Sequence, residues 1–168
     1  MLNARIFFIF PQYIMNSSDW TDCNFKDHLY DSAISIPGVT GEYFWQDDIS
    51  YPGLKPTPTD LAARKLAELR EKILAFRPDF IVYDACYDGN DHTVNPKYLN
   101  EIKTRTGARC IGFMADAWGD RWKGAVAYWG SAAERLLYIM PATRPQLKEP
   151  KIMSTPYPCN PLNFFPPF

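Results

Sequence analysis

A chain of 168 residues with a formal net charge of -1 suits one domain that buries roughly two thirds of its unfolded surface. Its balance of acid and base argues against a basic face built to neutralise phosphates, and so against nucleic acid as a partner. Cys23, Cys86, Cys110 and Cys159 form neither a CxxC pair nor a zinc pattern with His28 and His92, so a reducing, cytoplasmic setting without a bound metal is expected. No stretch approaches the ~20 apolar residues of a membrane span, and Met1 to Pro11 is too short for a signal peptide.

Ala4 to Phe10, ARIFFIF, is a continuous apolar run closed by Pro11, the pattern of a central strand buried on both faces. Gln12 to Asp22 reads as a polar loop, after which Thr21 or Asp22 caps a short helix to about Ile34 with Phe25, Leu29 and Ser32 inward. Pro37 and Gly38 end it. Val39 to Trp45 is a second strand interrupted by Gly41, and Gln46 to Pro58 is a proline-bearing loop. From Thr59, apolar residues at Ala62, Leu66, Leu69, Ile73 and Phe76 recur in steps of four and three and predict an amphipathic helix with a charged outer face.

Pro78 stops that helix, and Phe80 to Tyr83 is the third strand. Asn95 followed by Pro96 predicts a capped helix through about Thr106, closed by Gly107. Arg109 to Ala115 is the fourth strand; Trp122, Ala125, Val126, Trp129 and Ala133 mark another amphipathic helix; Leu136 to Met140 is the fifth strand. One more strand fits near Lys151 to Thr155. Strand and helix alternate, which predicts an α/β fold: a Rossmann-like three-layer α/β/α domain over residues 1–150 with a mainly parallel sheet of five to six strands. Residues 151–168 read as a Pro- and aromatic-rich tail whose apolar surface suits a neighbour, an oligomer included.

Ligands in such sheets bind beyond the carboxyl ends of the strands, where the strand order reverses. With the expected order 3-2-1-4-5, Asp116 and Trp118 face the loop after Pro11 and Gln12; Asp116 is then a general base or positions a substrate hydroxyl, and Trp118 is a flat platform for a sugar or ring. With 2-1-3-4-5 the crevice moves to strand three, and Asp84, Tyr87 and Asp88 take over. His92 is the histidine near either acid and a ready base near neutral pH. Asp84, Asp88, Asp91 and His92 offer ligands for a divalent ion, but their spacing matches no calcium loop and Gly89 and Asn90 read as a turn. Neither GxGxxG, GxxxxGK[ST] nor GxSxG occurs, so the fold carries no dinucleotide, phosphate-loop or nucleophile-elbow signature.

FRPDFIVYDA, then NPKYLNEIKTRTGARCIGFMADAW, then KIMSTPYPCNPLNFFPP resemble the N-terminal half of GT-B glycosyltransferases, particularly the CgeB-like group, over about Phe76 to Pro167. The resemblance implies two facing Rossmann-like domains and transfer of a sugar from a nucleotide-sugar to an acceptor hydroxyl, with no cofactor. It makes this chain the acceptor-side half, with Asp116 matching the acid-bearing loop and YPCNPLNFFP, Tyr157 to Pro166, matching the interdomain passage. The nucleotide-sugar then belongs to a C-terminal donor domain outside these residues, and the chain alone is expected to be weak or inactive. Two further readings are a non-catalytic sugar- or nucleotide-binding module using the same crevice, and a flavodoxin-like flavin carrier.

Overall fold

The computed structural model describes residues 3–11, 13–16, 19–22, 25–46, 59–85, 93–114, 121–139 and 152–155. Strand β1 (Ala4–Phe10) is central because four successive residues, Phe7 to Phe10, are each 3% exposed or less. A chain apolar on both faces is stable only when both faces are covered. Strands β4 (Val39–Trp45) and β5 (Phe80–Asp84) flank it, and β6 (Arg109–Met114), β7 (Arg135–Ile139) and β8 (Ile152–Thr155) extend the sheet. All six strands are parallel, in the order β4-β1-β5-β6-β7-β8.

In chain order of the sheet strands this is 2-1-3-4-5-6, so the expected 3-2-1-4-5 is corrected. Strand β5 lies between β1 and β6, pairing Ile9 with Tyr83 on one side and Tyr83 with Gly112 on the other. Both orders use the same right-handed crossovers, which is why local sequence does not separate them.

The segment after β1 is a second departure. Rather than a loop, Tyr13–Asn16 (β2) and Asp19–Asp22 (β3) form an antiparallel hairpin pairing Tyr13 with Asp22 and Asn16 with Asp19. Helix α1 follows as a π-helical turn, Lys26–Asp31, continuing into Ser32–Ile34. Neither Thr21 nor Asp22 caps it, since both are in β3 and the helix has no side-chain cap. Phe25 and Leu29 do face inward, with Tyr30 and Ala33. A Cβ on Gly41 would lie 2.9 Å from Ile34 Cγ2 and 3.0 Å from Tyr30 Cε2, so the glycine that interrupts β4 is where α1 sits down on the sheet.

Helices α2 (Thr59–Phe76), α3 (Pro96–Thr106) and α4 (Arg121–Trp129) lie on the other face. The α2 stripe is as expected: Ala62, Leu69 and Ile73 are buried, and Leu66 and Phe76 pack against the core. Its outer face carries the pairs Arg64–Asp60, Lys65–Glu68 and Lys72–Glu68. Arg70 departs from that solvated face; it reaches Glu101 on α3 at 3.2 Å and lies over the Tyr98 ring. Helix α3 has the caps its sequence encodes: Asn95 Oδ1 accepts from the Tyr98 amide at 2.9 Å, Pro96 opens the first turn, and Gly107 closes the last with φ +73°.

The layers are unequal. Phe7, Ile9, Ile81, Tyr83, Cys110, Met114 and Leu136 face three helices, whereas Phe8, Phe10 and Phe113 face α1. The step from β1 to β4 runs in one direction across the sheet and the steps to β5, β6 and β7 run in the other, so right-handed crossovers place α1 opposite α2, α3 and α4. The point where direction reverses lies between β1 and β5. Beyond Thr155 the tail lies outside the described residues, and among the described residues no helix is long and apolar enough to cross a membrane.

Candidate functional site

At the amino edge of the sheet, backbone groups are closed by neighbours. Ala4 donates to Gly38 O at 3.0 Å, the Arg5 amide donates to Asp79 Oδ2 at 2.8 Å, and Arg109 donates to Asp79 O at 2.9 Å. Cys110 donates its amide to Glu134 Oε2 at 2.6 Å, and Lys103 pairs with Glu134 Oε1 at 2.5 Å. Burial and the adjacent Glu134 carboxylate push the Cys110 thiol up to about 12, so it is an inert core group.

The carboxyl edge is built differently. Three buried polar side chains among the described residues, Gln46 at 7% exposure, Asp84 at 4% and Thr93 at 2%, all stand there. Asp84 is the last residue of β5, and the pairing of Ile9 with Tyr83 puts it level with Phe10, the last residue of β1. Alternation along β5 places it on the face shared with Val82, the α1 side. The ladder continues one step beyond, where Ala85 donates to Phe113 O at 2.9 Å. A carboxylate at this depth beside the reversal point is costly to keep unless hydrogen bonds or a ligand compensate it.

Gln46 follows the last residue of β4. Trp45 pairs with Phe10, so Gln46 stands level with Pro11, a residue with no N–H to offer. Its Oε1 is enclosed and has no hydrogen-bond partner among the described residues. Thr93 enters the turn before α3, where its hydroxyl lies 3.4 Å from Val94 O and its carbonyl accepts from Asn95 Nδ2 at 3.2 Å. Gln46 and Asp84 are thus on the two strands that flank β1, whose backbones stand about 10 Å apart at ordinary strand spacing.

A carboxylate, a carboxamide and a hydroxyl thus stand toward one edge of the sheet, Asp84 on the α1 face and Gln46, in step with Phe44, on the opposite face. A buried carboxylate can take a proton from a hydroxyl in hydrogen-bond reach. Other enclosed polar atoms, Ser32 Oγ and Arg70 Nε on helices and Tyr83 Oη and Trp129 Nε1 in the core, also have no hydrogen-bond partner among the described residues. Burial raises the Tyr83 phenol well above its ordinary value, so it stays protonated. Its hydroxyl would lie 3.1 Å from a Cβ on Gly112, which marks a close crossing of side chain over strand. A groove of about 390 Å³ between α2 and α3 includes Leu66, Arg70, Asn95 and Tyr98 in its walls. Several of its polar wall groups are engaged with one another: Arg70 Nη2 with Glu101, Tyr98 Oη with Leu66 O, and Asn95 with the Tyr98 amide.

Of the site residues expected from sequence, Asp84 is placed at the reversal point. Gln12, Tyr87, Asp88, His92, Asp116 and Trp118 lie outside the described residues, as does Asp91. The juxtaposition of Asp116 with the loop after Pro11 depended on β1 and β6 being neighbours, and β5 separates them. Gln46 and Thr93 are additions. Gln46 reads as the first residue of a loop, yet the rule that singles out Asp84, a polar residue ending a strand beside β1, applies equally to the end of β4.

No protein-family model and no curated protein matches the chain. Among solved structures, a family 18 chitinase from Crocus vernus is similar at 13% identity and a TM-score of 0.39, over 80% of this chain and 58% of the chitinase. The chain therefore spans little more than half the length of that protein. The parallel six-stranded sheet with helices on both faces is a Rossmann-like α/β fold on its own topology.

Proposed function

We propose that the chain is the acceptor-side half of a glycosyltransferase, with the hydroxyl-bearing acceptor bound at the carboxyl edge between β1 and β5 and the nucleotide-sugar held by a separate donor-side domain. The observation that carries this reading is Asp84, a carboxylate 4% exposed at the strand end beside the reversal point. It orients the attacking hydroxyl and takes its proton as the hydroxyl oxygen bonds to the anomeric carbon and the nucleotide departs with the bonding electron pair. Asp116 and His92 are further candidates for that proton. The absence of GxGxxG and GxxxxGK[ST] from the sequence supports a site for a neutral acceptor over one for a nucleotide.

Saturation-transfer NMR with a panel of methyl glycosides and with UDP-glucose tests the assignment. Glycoside signals are expected from the wild-type chain and are expected to fall in Asp84→Asn of unchanged fold. Signals confined to the nucleotide would overturn it, and sugar transfer by the isolated chain at the rate of two-domain enzymes would overturn the division of labour. A second reading is favoured by the strand order, which doubly wound flavin carriers share; a yellow protein on purification would select it.

A further inference from the structure

We infer that the α1 side of β6 and β7, in its amino half, docks an acidic protein segment whose carboxylates meet Arg109 and Arg135 and whose apolar side chains rest on Ile111 and Leu137. This surface lies at the opposite end of the strands from Asp84 and does not depend on the reading given to the carboxyl edge.

The two faces of the same strands differ. Toward α2, α3 and α4, Cys110 and Leu136 are fully buried, whereas on the α1 side Arg109 and Arg135 are exposed and Ile111 and Leu137 half-buried. A strand in a parallel sheet is normally covered on both faces. Helix α1 sits on β4 at Gly41, three strands from β6, and Phe25 just before it reaches Phe113 in the carboxyl half of β6. The amino half is left without a helix among the described residues.

Arg135 pairs with Ile111, so Arg109 is its diagonal neighbour on the same face, with backbones about 8 Å apart. Two cations at that spacing repel unless an anion lies between them. Neither meets a carboxylate among the described residues: Arg109 lies over the Phe80 ring and Arg135 Nη1 donates to the Glu134 carbonyl at 2.8 Å. The Glu134 carboxylate is engaged with the Cys110 amide and Lys103. The remaining N–H edges of each guanidinium suit a carboxylate held by two parallel bonds. Ile111 and Leu137 alternate with the arginines, and an apolar side chain uses them where a phosphodiester backbone does not. The net charge of -1 also gives a nucleic acid no long-range attraction. Acidic and apolar residues in alternation match both parts of the surface.

Fluorescence anisotropy with the full chain tests this, using a labelled peptide of alternating Glu and Leu, its Gln and Leu counterpart, and a single-stranded oligothymidylate. The Glu peptide is expected to bind, to weaken as salt is raised, and to lose at least about tenfold in affinity in Arg109→Gln/Arg135→Gln. Arg77→Gln/Arg105→Gln removes two other exposed arginines and should leave affinity within about twofold. In the wild-type chain, amide NMR shifts should centre on Ile111 and Leu137; shifts centred elsewhere overturn the inference even where the Arg109 and Arg135 variant is less stable. Equal binding of the Gln peptide, equal loss in both double variants, or no binding at all would likewise overturn it. So would tighter binding of the oligothymidylate, which makes the partner a nucleic acid, or self-association lost in Arg109→Gln/Arg135→Gln, which makes it a second copy.

Discussion

The two edges of one sheet are made of similar strands and end in opposite ways. At the amino edge several polar groups are closed by protein partners: the Arg5 amide and Asp79, Arg109 and the Asp79 carbonyl, the Cys110 amide and Glu134, Glu134 and Lys103. At the carboxyl edge Asp84 is buried beside the reversal point, Gln46 after β4 and Thr93 before α3 are buried as well, and Gln46 Oε1 has no partner among the described residues. Closed polar groups serve folding, because an unmet one costs more than a made one gains. The buried carboxylate Asp84 stands at the strand end where the sheet order reverses, the place where such sheets bind ligands. The closed groups of the amino edge and the interior should therefore be sensitive to substitution in stability, and the carboxyl edge in binding.

The largest expected effect concerns Cys110 near the amino edge. Iodoacetamide at pH 8 should label it at least ~1000-fold more slowly in the native chain than in urea, because reaction requires opening a central strand worth about 4 kcal/mol or more. Peptide mass mapping reads this, and native labelling within tenfold of the unfolded rate would break the comparison. The same burial gives an alkaline limb. The unfolded thiol ionises near pH ~8.5 and the native one at about 12, so the native state holds the proton longer. Its contribution is whole below pH ~8.5 and is lost as pH rises toward the native value; chemical denaturation at stepped pH should show stability falling across that window.

Next is Gly112, in the middle of β6. A Cβ there would meet Leu136 Cδ2 at 2.6 Å and Ala85 Cβ at 2.9 Å, so Gly112→Ala should cost about 2–3 kcal/mol in urea denaturation through overpacking. An unchanged midpoint would mean that β6 and β7 separate more readily than their packing implies. Glu134→Ala leaves the Cys110 amide without its acceptor and Lys103 without its partner, and about 1–2 kcal/mol of lost stability is expected. Glu134→Gln, which keeps an acceptor oxygen, should recover part of it.

Asn95→Ala is the smallest and most pointed comparison, because Asn95 stands near the carboxyl edge and has a folding role there. Losing its cap to the Tyr98 amide should cost about 1 kcal/mol by thermal or urea unfolding. A cost near zero would mean that the cap adds nothing to folding at that edge.

Much of this fold is legible in the chain because its signals are local. The ARIFFIF run, the α2 stripe from Ala62 to Phe76, and the Asn95-Pro96 and Gly107 caps each depend on residues within a turn or two. The β2–β3 hairpin is not legible in the same way: YIMN and DWTD are short, and the two residues between them, Ser17 and Ser18, lack the glycine or asparagine that marks a tight hairpin. Asp84 is visible from sequence as an acid ending an apolar strand. Its standing above Asp116 is not, since that depends on which strand lies beside β1.

The sequence by itself determined the elements, their α/β alternation and the acids at strand ends, because helix periodicity, caps and buried apolar runs act over a few residues. Only the tertiary structure decided the order β4-β1-β5-β6-β7-β8 and, with it, that Asp84 ends the strand beside β1 at the reversal point. Pairing of parallel strands is a choice among distant partners with nearly the same local pattern. It is settled by packing, such as α1 on Gly41 and Tyr83 over Gly112, which no short window of sequence contains.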